Sequence, residues 1–274
     1  MICKTITAER KNKVNDTDRI FNELKAFPQT EAIALGGSRA TGLNDKSSDY
    51  DVYVYVSEDI PEAARRELMS RYCRVTEIGN HYWETEDNCT LNDGVDIDII
   101  YRSLDDFAEG ISAVVDRCEA TNGYTTCMWH NLLNCKIIFD RNGRLEKLRK
   151  QYDVPYPEAL RKNIIERNMK LLSGALPSYD MQIKKAVGRG DLVSINHRTA
   201  EFLASYFNVI FAANRLTHPG EKRLVGICED KCGLLPDNFR ENLDRLFAEL
   251  YTEKTVENVA RIVSELALML KKEI

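Results

Sequence analysis

Residues 32–56 constrain this chain more than any other stretch. An apolar run, Ala32-Ile33-Ala34-Leu35, enters a glycine turn, Gly36-Gly37-Ser38-Arg39-Ala40-Thr41-Gly42. Then come Ser48-Asp49-Tyr50-Asp51 and a second β-type run, Val52-Tyr53-Val54-Tyr55-Val56. Glycines directly after a strand let the backbone turn sharply and bring main-chain N–H groups close to an anion. A helix starting near Ser38 points its free N–H groups and positive dipole end the same way. The Ser38 hydroxyl adds a donor. Arg39 either touches a phosphate or is simply exposed.

Asp49 and Asp51 lie two apart, so on a strand both side chains leave one face. Two adjacent carboxylates repel unless something neutralises them. Hard oxygen ligands at this spacing suit Mg²⁺, which bridges carboxylates and substrate phosphates. A third carboxylate would complete a two-metal site. Gly94-Val95-Asp96-Ile97-Asp98-Ile99-Ile100-Tyr101 supplies it on another strand. Asp98, which borders the apolar run, is the expected third ligand, with Asp96 as the alternate.

The order of turn, double Asp, strand and third Asp resembles the nucleotidyltransferase superfamily, the fold shared by DNA polymerase beta and the aminoglycoside nucleotidyltransferases. The resemblance covers about residues 30–140. It implies an α/β (α+β) catalytic domain with a mixed sheet. It also implies catalysis by Asp49, Asp51 and Asp98, which would hold two Mg²⁺ ions. Gly36, Gly37, Ser38 and Arg39 would bind a nucleoside triphosphate, taken as ATP, and AMP would pass to an acceptor with release of pyrophosphate.

Composition narrows the partners. Net charge is −5 over 274 residues, against a dedicated nucleic-acid binder, which shows a basic face. Residues 1–150 hold 20 Lys and Arg against 26 Asp and Glu, and residues 151–274 hold 18 against 17. The acidic half bears the Asp-x-Asp motif, and acidic walls attract cationic molecules. A small hydroxylated acceptor, aminoglycoside- or lincosamide-like, ranks first, with antibiotic resistance as a corollary. A protein acceptor, as in toxin–antitoxin systems, ranks second. A nucleic-acid acceptor such as a tRNA end ranks third, because neither half is strongly basic, and a non-catalytic nucleotide-sensing module is the reading outside enzymes. No apolar run approaches the ~20 residues that span a bilayer. Lys4, Glu9, Arg10, Lys11 and Lys13 leave no apolar core for a signal peptide, so a cytoplasmic protein with reduced thiols is expected. Cys228 and Cys232 lack the second ligand pair that a zinc site needs.

Periodicity predicts helices over 8–26, 61–72 and 103–117, the last opened by Ser103 and Asp106 in a capping-box pattern. Strands are expected at 31–35, 50–56, 94–101 and 135–140, with a strand-rich stretch at 73–91. Pro155 and Pro157 disfavour helix and mark a boundary, giving domains 1–152 and 153–274. The second domain reads as a helical bundle with helices at 158–173, 178–189, 191–216, 236–250 and 253–272. Its role is expected to be closing the cleft and choosing the acceptor.

Asn214, Pro219, Gly220 and Lys222 form an Asn-x-x-x-x-Pro-Gly-x-Lys pattern. It resembles the helical half of uncharacterised bacterial nucleotidyltransferases. Lys222 is a candidate phosphate cation. Asp191, Glu201 and Asn214 are acceptor-side candidates, although the place of Asp191 just before a long helix favours a helix cap.

Overall fold

The structure is a computed structural model that describes residues 15–42, 48–250 and 257–274. The elements run α1 (Asp16–Leu24), β1 (Thr30–Leu35), α2 (Gly37–Thr41), β2 (Tyr50–Val56), α3 (Glu62–Ser70), β3 (Cys73–Asn80), β4 (Thr85–Leu91), β5 (Asp96–Ser103) and α4 (Leu104–Val115). After them come α5 (Cys127–Asn134), β6 (Lys136–Asp140), α6 (Arg144–Tyr152), α7 (Glu158–Leu172), α8 (Tyr179–Val187), α9 (Leu192–Ala213), α10 (Leu224–Lys231), α11 (Phe239–Leu250) and α12 (Glu257–Glu273). Residues 8–14 and 253–256 of the expected terminal helices lie outside the described residues.

The chain divides into two compact units. Residues 1–107 and 134–148 form the first, and residues 108–133 and 149–274 the second. The segment 108–133, which precedes the expected boundary at 152/153, groups with the helical unit.

The first unit is an α/β layer on a six-stranded mixed sheet of order β3-β4-β5-β2-β1-β6. β2 and β5 are parallel, and the other neighbours are antiparallel. Alternation along β2 explains its two faces. Val52, Val54 and Val56 join Ile97 and Ile99 of β5, Leu68 and Met69 of α3, and Ile20, Phe21 and Leu24 of α1 in a buried core. Asp51, Tyr53 and Tyr55 leave the opposite face. Asn15 caps α1 by accepting from Asp18 N at 2.7 Å, and Ser103 caps α4 by accepting from Asp106 N at 3.2 Å. Tyr82 and Trp83, assigned by pattern to a strand-rich stretch, instead stand exposed between β3 and β4.

Under the same sheet face as the core, Asp87 of β4 is fully buried. It accepts from Arg65 Nη1 of α3, from Tyr101 OH at 2.9 Å and from Gly79 N at 2.9 Å. Burial first, and then the Asp87 charge, push the Tyr101 phenol far above its ordinary pKa.

The second unit is all helical among its described residues. α9 runs through its core, where Phe202, Tyr206 and Ile210 meet Leu243 and Leu246 of α11 and Ile262, Val263 and Leu266 of α12. Asn208 of α9 holds the loop before α5: its Oδ1 accepts from Thr125 N at 3.2 Å and its Nδ2 donates to Thr125 Oγ1 at 3.1 Å.

His218 is fully buried in this unit, against the rings of Tyr124 and Phe211 at 4.9 Å each. Burial, with a smaller push from His130, holds its imidazole down at about 4. The unfolded chain takes up that proton nearer pH 6.5. Stability from the neutral ring is thus complete above about pH 6.5 and is lost as pH falls towards 4. Urea unfolding at pH 7 and pH 5 is expected to differ by about 2 kcal/mol from this group, with a smaller difference in His218→Gln. A pH dependence that survives that substitution unchanged contradicts the assignment.

Candidate active site

The polar face of the first unit's sheet collects the carboxylates. β2 and β5 run parallel with Asp51 registered opposite Asp98, so the two side chains leave adjacent strands on the same face. Asp49 precedes β2 by one residue. Asp49, Asp51 and Asp98 are half-buried, and each offers an oxygen within 4.8 Å of the others. Asp96 is not part of this group. It is exposed one pleat further out and accepts from Thr90 Oγ1 at 2.8 Å. Of the two acids on β5, Asp98 is the one brought to the Asp-x-Asp pair. A cavity of roughly 250 Å³ opens beside them, lined by Asp49, Asn88, Cys89, Thr90, Asp96 and Asp98.

The glycine turn is fitted to this acid group. Gly36 N donates to Asp51 O at 2.8 Å, which closes the turn onto β2. Gly37 has φ +60°, and a Cβ there would stand 1.9 Å from Asp51 Oδ2. A Cβ on Gly36 would meet the Tyr53 ring at 2.6 Å. Both glycines are thus required by close approach, one to the edge of an aromatic ring and one to the carboxylate itself. Ser38 and Arg39 follow in α2.

Arg39 is bonded to the segment that leads into β2. Its Nε donates to Ser48 O at 2.9 Å and Asp49 O at 3.0 Å, and its Nη2 also donates to Ser48 O. The guanidinium lies 3.8 Å over the Tyr50 ring. Arg39 therefore braces the backbone that delivers Asp49.

Asn88, which no motif singled out, donates from Nδ2 to Asp98 Oδ1 at 2.7 Å. Strand alternation places it on the face of Glu86 and Thr90, but its partner is visible only once β4 and β5 are paired.

Three convergent carboxylates offer a set of hard, anionic oxygen donors, which fits a divalent cation such as Mg²⁺. Their half-buried setting sharpens the mutual repulsion that a cation relieves.

The nucleotidyltransferase domain family matches residues 17–120, which contain the glycine turn and all three carboxylates. Residues 17–120 form a nucleotidyltransferase domain. A second family, a domain of unknown function named DUF4037, matches residues 125–223. Two solved structures align over most of the chain. One is a nucleotidyltransferase-like protein from Exiguobacterium sibiricum 255-15, with 16% identity, 94% of this chain and 74% of that one covered, and a TM-score of 0.44. The other is an aminoglycoside 6-adenyltransferase from Bacillus subtilis, with 8% identity, 93% and 88% covered, and a TM-score of 0.30. No curated protein sequence matches the chain.

Outside the nucleotidyltransferase domain, the helical unit holds the remaining candidates. Asp191 is the N-cap of α9 and accepts from Ser194 N at 3.0 Å, so its capping reading is realised. Asn214 ends the same helix. Its Nδ2 donates to Ile210 O and Leu234 O at 2.9 Å each, and its Oδ1 accepts from Leu234 N at 2.8 Å. Those bonds tie the C-terminal end of α9 to the loop between α10 and α11. Glu201 is exposed on α9 and accepts from Tyr179 OH at 3.3 Å. Lys222 is exposed in the segment before α10. None of the seven described cysteines forms a disulfide, and Cys3 lies outside the described residues. No helix among the described residues is long and apolar enough to cross a membrane.

Proposed function

We propose that this chain transfers a nucleoside monophosphate, AMP from ATP, to a hydroxyl of a small-molecule acceptor and releases pyrophosphate. The observation that carries this reading is the convergence of Asp49, Asp51 and Asp98 within a nucleotidyltransferase domain. A bound Mg²⁺ would supply Lewis-acid activation and neutralise phosphate charge. In this reading Asp49, Asp51 and Asp98 hold that cation, and none of them needs to carry a proton. The Gly36–Gly37 turn lets phosphate oxygens approach main-chain N–H groups beside the acids. Arg39 keeps Asp49 in place by holding the carbonyls at 48 and 49. The helical unit selects the acceptor, and the excess of acidic residues in the first half of the chain favours a cationic one.

The test is pyrophosphate release with each of the four NTPs and Mg²⁺ across a panel of hydroxylated compounds, aminoglycosides and lincosamides among them. Release that depends on one acceptor and prefers ATP supports the reading. Nucleotide binding without release for any acceptor contradicts it and favours a protein substrate or a sensing role.

The turn gives a second check. Gly37→Ala must push the Asp51 carboxylate aside and also strain a left-handed backbone. Misplacing a reacting group by about 1 Å can cost ~100-fold, so a loss of that order in turnover is expected with the melting temperature only modestly lowered. Parental turnover in Gly37→Ala would show that Asp51 does not need its place.

A further inference from the structure

A polar row crosses four strands of the sheet beside the acid group. Asp51 of β2 registers with Asp98 of β5, and Asp98 registers with Asn88 of β4. Registered neighbours present their side chains on one face. Asn88 Nδ2 donates to Asp98 Oδ1 at 2.7 Å and makes a longer contact of 3.4 Å to Glu86 Oε2. Its Oδ1 accepts from Asn80 Nδ2 of β3.

The last bond matters for the first. An amide has a donor end and an acceptor end, and only the donor end suits a carboxylate. With its oxygen engaged by Asn80, the amide is held with its NH₂ towards Asp98. A carboxylate on its own turns easily about its last torsion, because such sp³–sp² torsions are broad. A charge-assisted bond to one oxygen fixes the carboxylate plane and leaves the remaining lone pairs to the acid group. Asp96 has a different neighbour, the freely rotating Thr90 hydroxyl, and is not in that group.

We propose that Asn88 is a positioning residue that holds Asp98 ready for a divalent cation, with Asn80 locking its amide. The inference rests on reading Asp49, Asp51 and Asp98 as a cation site. Partners of this kind behind metal ligands commonly cost 10–100-fold when removed.

The experiment is calorimetric titration of Mn²⁺ into the full chain, comparing the parent with Asn88→Ala, Asn80→Ala and Asn88→Leu, alongside melting temperatures without metal. The parent is expected to bind Mn²⁺. Asn88→Ala is expected to bind roughly tenfold or more weakly, and Asn80→Ala by a smaller factor. In turnover assays, added Mn²⁺ is expected to restore the Asn88→Ala rate while the nucleotide KM stays near parental, which a purely structural role would not produce. If Asn88→Ala does not fold, Asn88→Leu, which matches its volume without the donor, is expected to show the same weakening. Parental Mn²⁺ affinity in the folded Asn88 variant overturns the positioning role and leaves the cation site standing. A parent chain that binds no Mn²⁺ overturns the cation site and the positioning role with it.

Discussion

Asp51→Asn is expected to lower nucleotidyl transfer by roughly 10²–10³-fold, the scale on which a single electrostatic element contributes to catalysis, while the fold survives. Asn matches Asp in volume, and the Asp51 contacts that hold the sheet are made by its backbone: Gly36 N donates to its carbonyl, and its register with Asp98 is unaffected by the side chain. What disappears is one of three negative charges packed within 4.8 Å. Removing a like charge relieves repulsion, so the melting temperature is expected to stay level or rise slightly. Asp96→Asn is expected to cost less than about tenfold, because Asp96 stands outside the group and ~1.4 kcal/mol of transition-state energy is all that such a loss requires. Rates and melting curves for the two variants check both statements. Near-parental turnover in Asp51→Asn would remove the carboxylates from the chemistry.

The largest effect on stability is expected from Asp87→Ala. Asp87 is fully buried and faces Arg65, whose side chain is 5% exposed. Three donors converge on its carboxylate: the Arg65 guanidinium, the Tyr101 hydroxyl and the Gly79 amide. Truncation leaves a buried cation without its counter-charge, which typically costs about 3–5 kcal/mol. Replacing both partners by apolar residues of similar volume, Arg65→Met with Asp87→Leu, is expected to recover much of that loss. Urea unfolding of the single and double variants measures it. A single variant within about 1 kcal/mol of the parent would mean that the pair is not the buried lock its geometry describes, since even one unsatisfied buried group costs that much.

The contrast between these two sites explains what could be read from the chain alone. Gly36, Gly37, Asp49 and Asp51 lie within sixteen residues, and the β-type alternation after them tells which face they use. Asp98 needed one long-range inference, that a second alternating strand lies beside the first, and the parallel register of β2 with β5 realises it. Asn88 needed a further one, the antiparallel register of β4 with β5, for which no local pattern exists. Arg65 and Asp87 are 22 residues apart on a helix and a strand, and nothing in either segment names the other. Arg39 was visible but its work was not, because a guanidinium beside a glycine turn suits a phosphate and a carbonyl pair equally well.

The long helices α7, α9 and α11 followed from their apolar stripes. α5 and α10 are eight residues each, too short for periodicity to stand out from a loop. Pro155 and Pro157 are a strong local break, yet residues 108–133 pack with the helical unit, and packing between distant segments leaves no mark on local composition.

The most direct test of the central claim is the identity of the phosphate product. With ATP, Mg²⁺ and a productive acceptor, the account predicts one pyrophosphate released for each AMP joined to the acceptor, with no release after chelation of the metal or in Asp51→Asn. Release of orthophosphate, or pyrophosphate release that persists in Asp51→Asn, would contradict it.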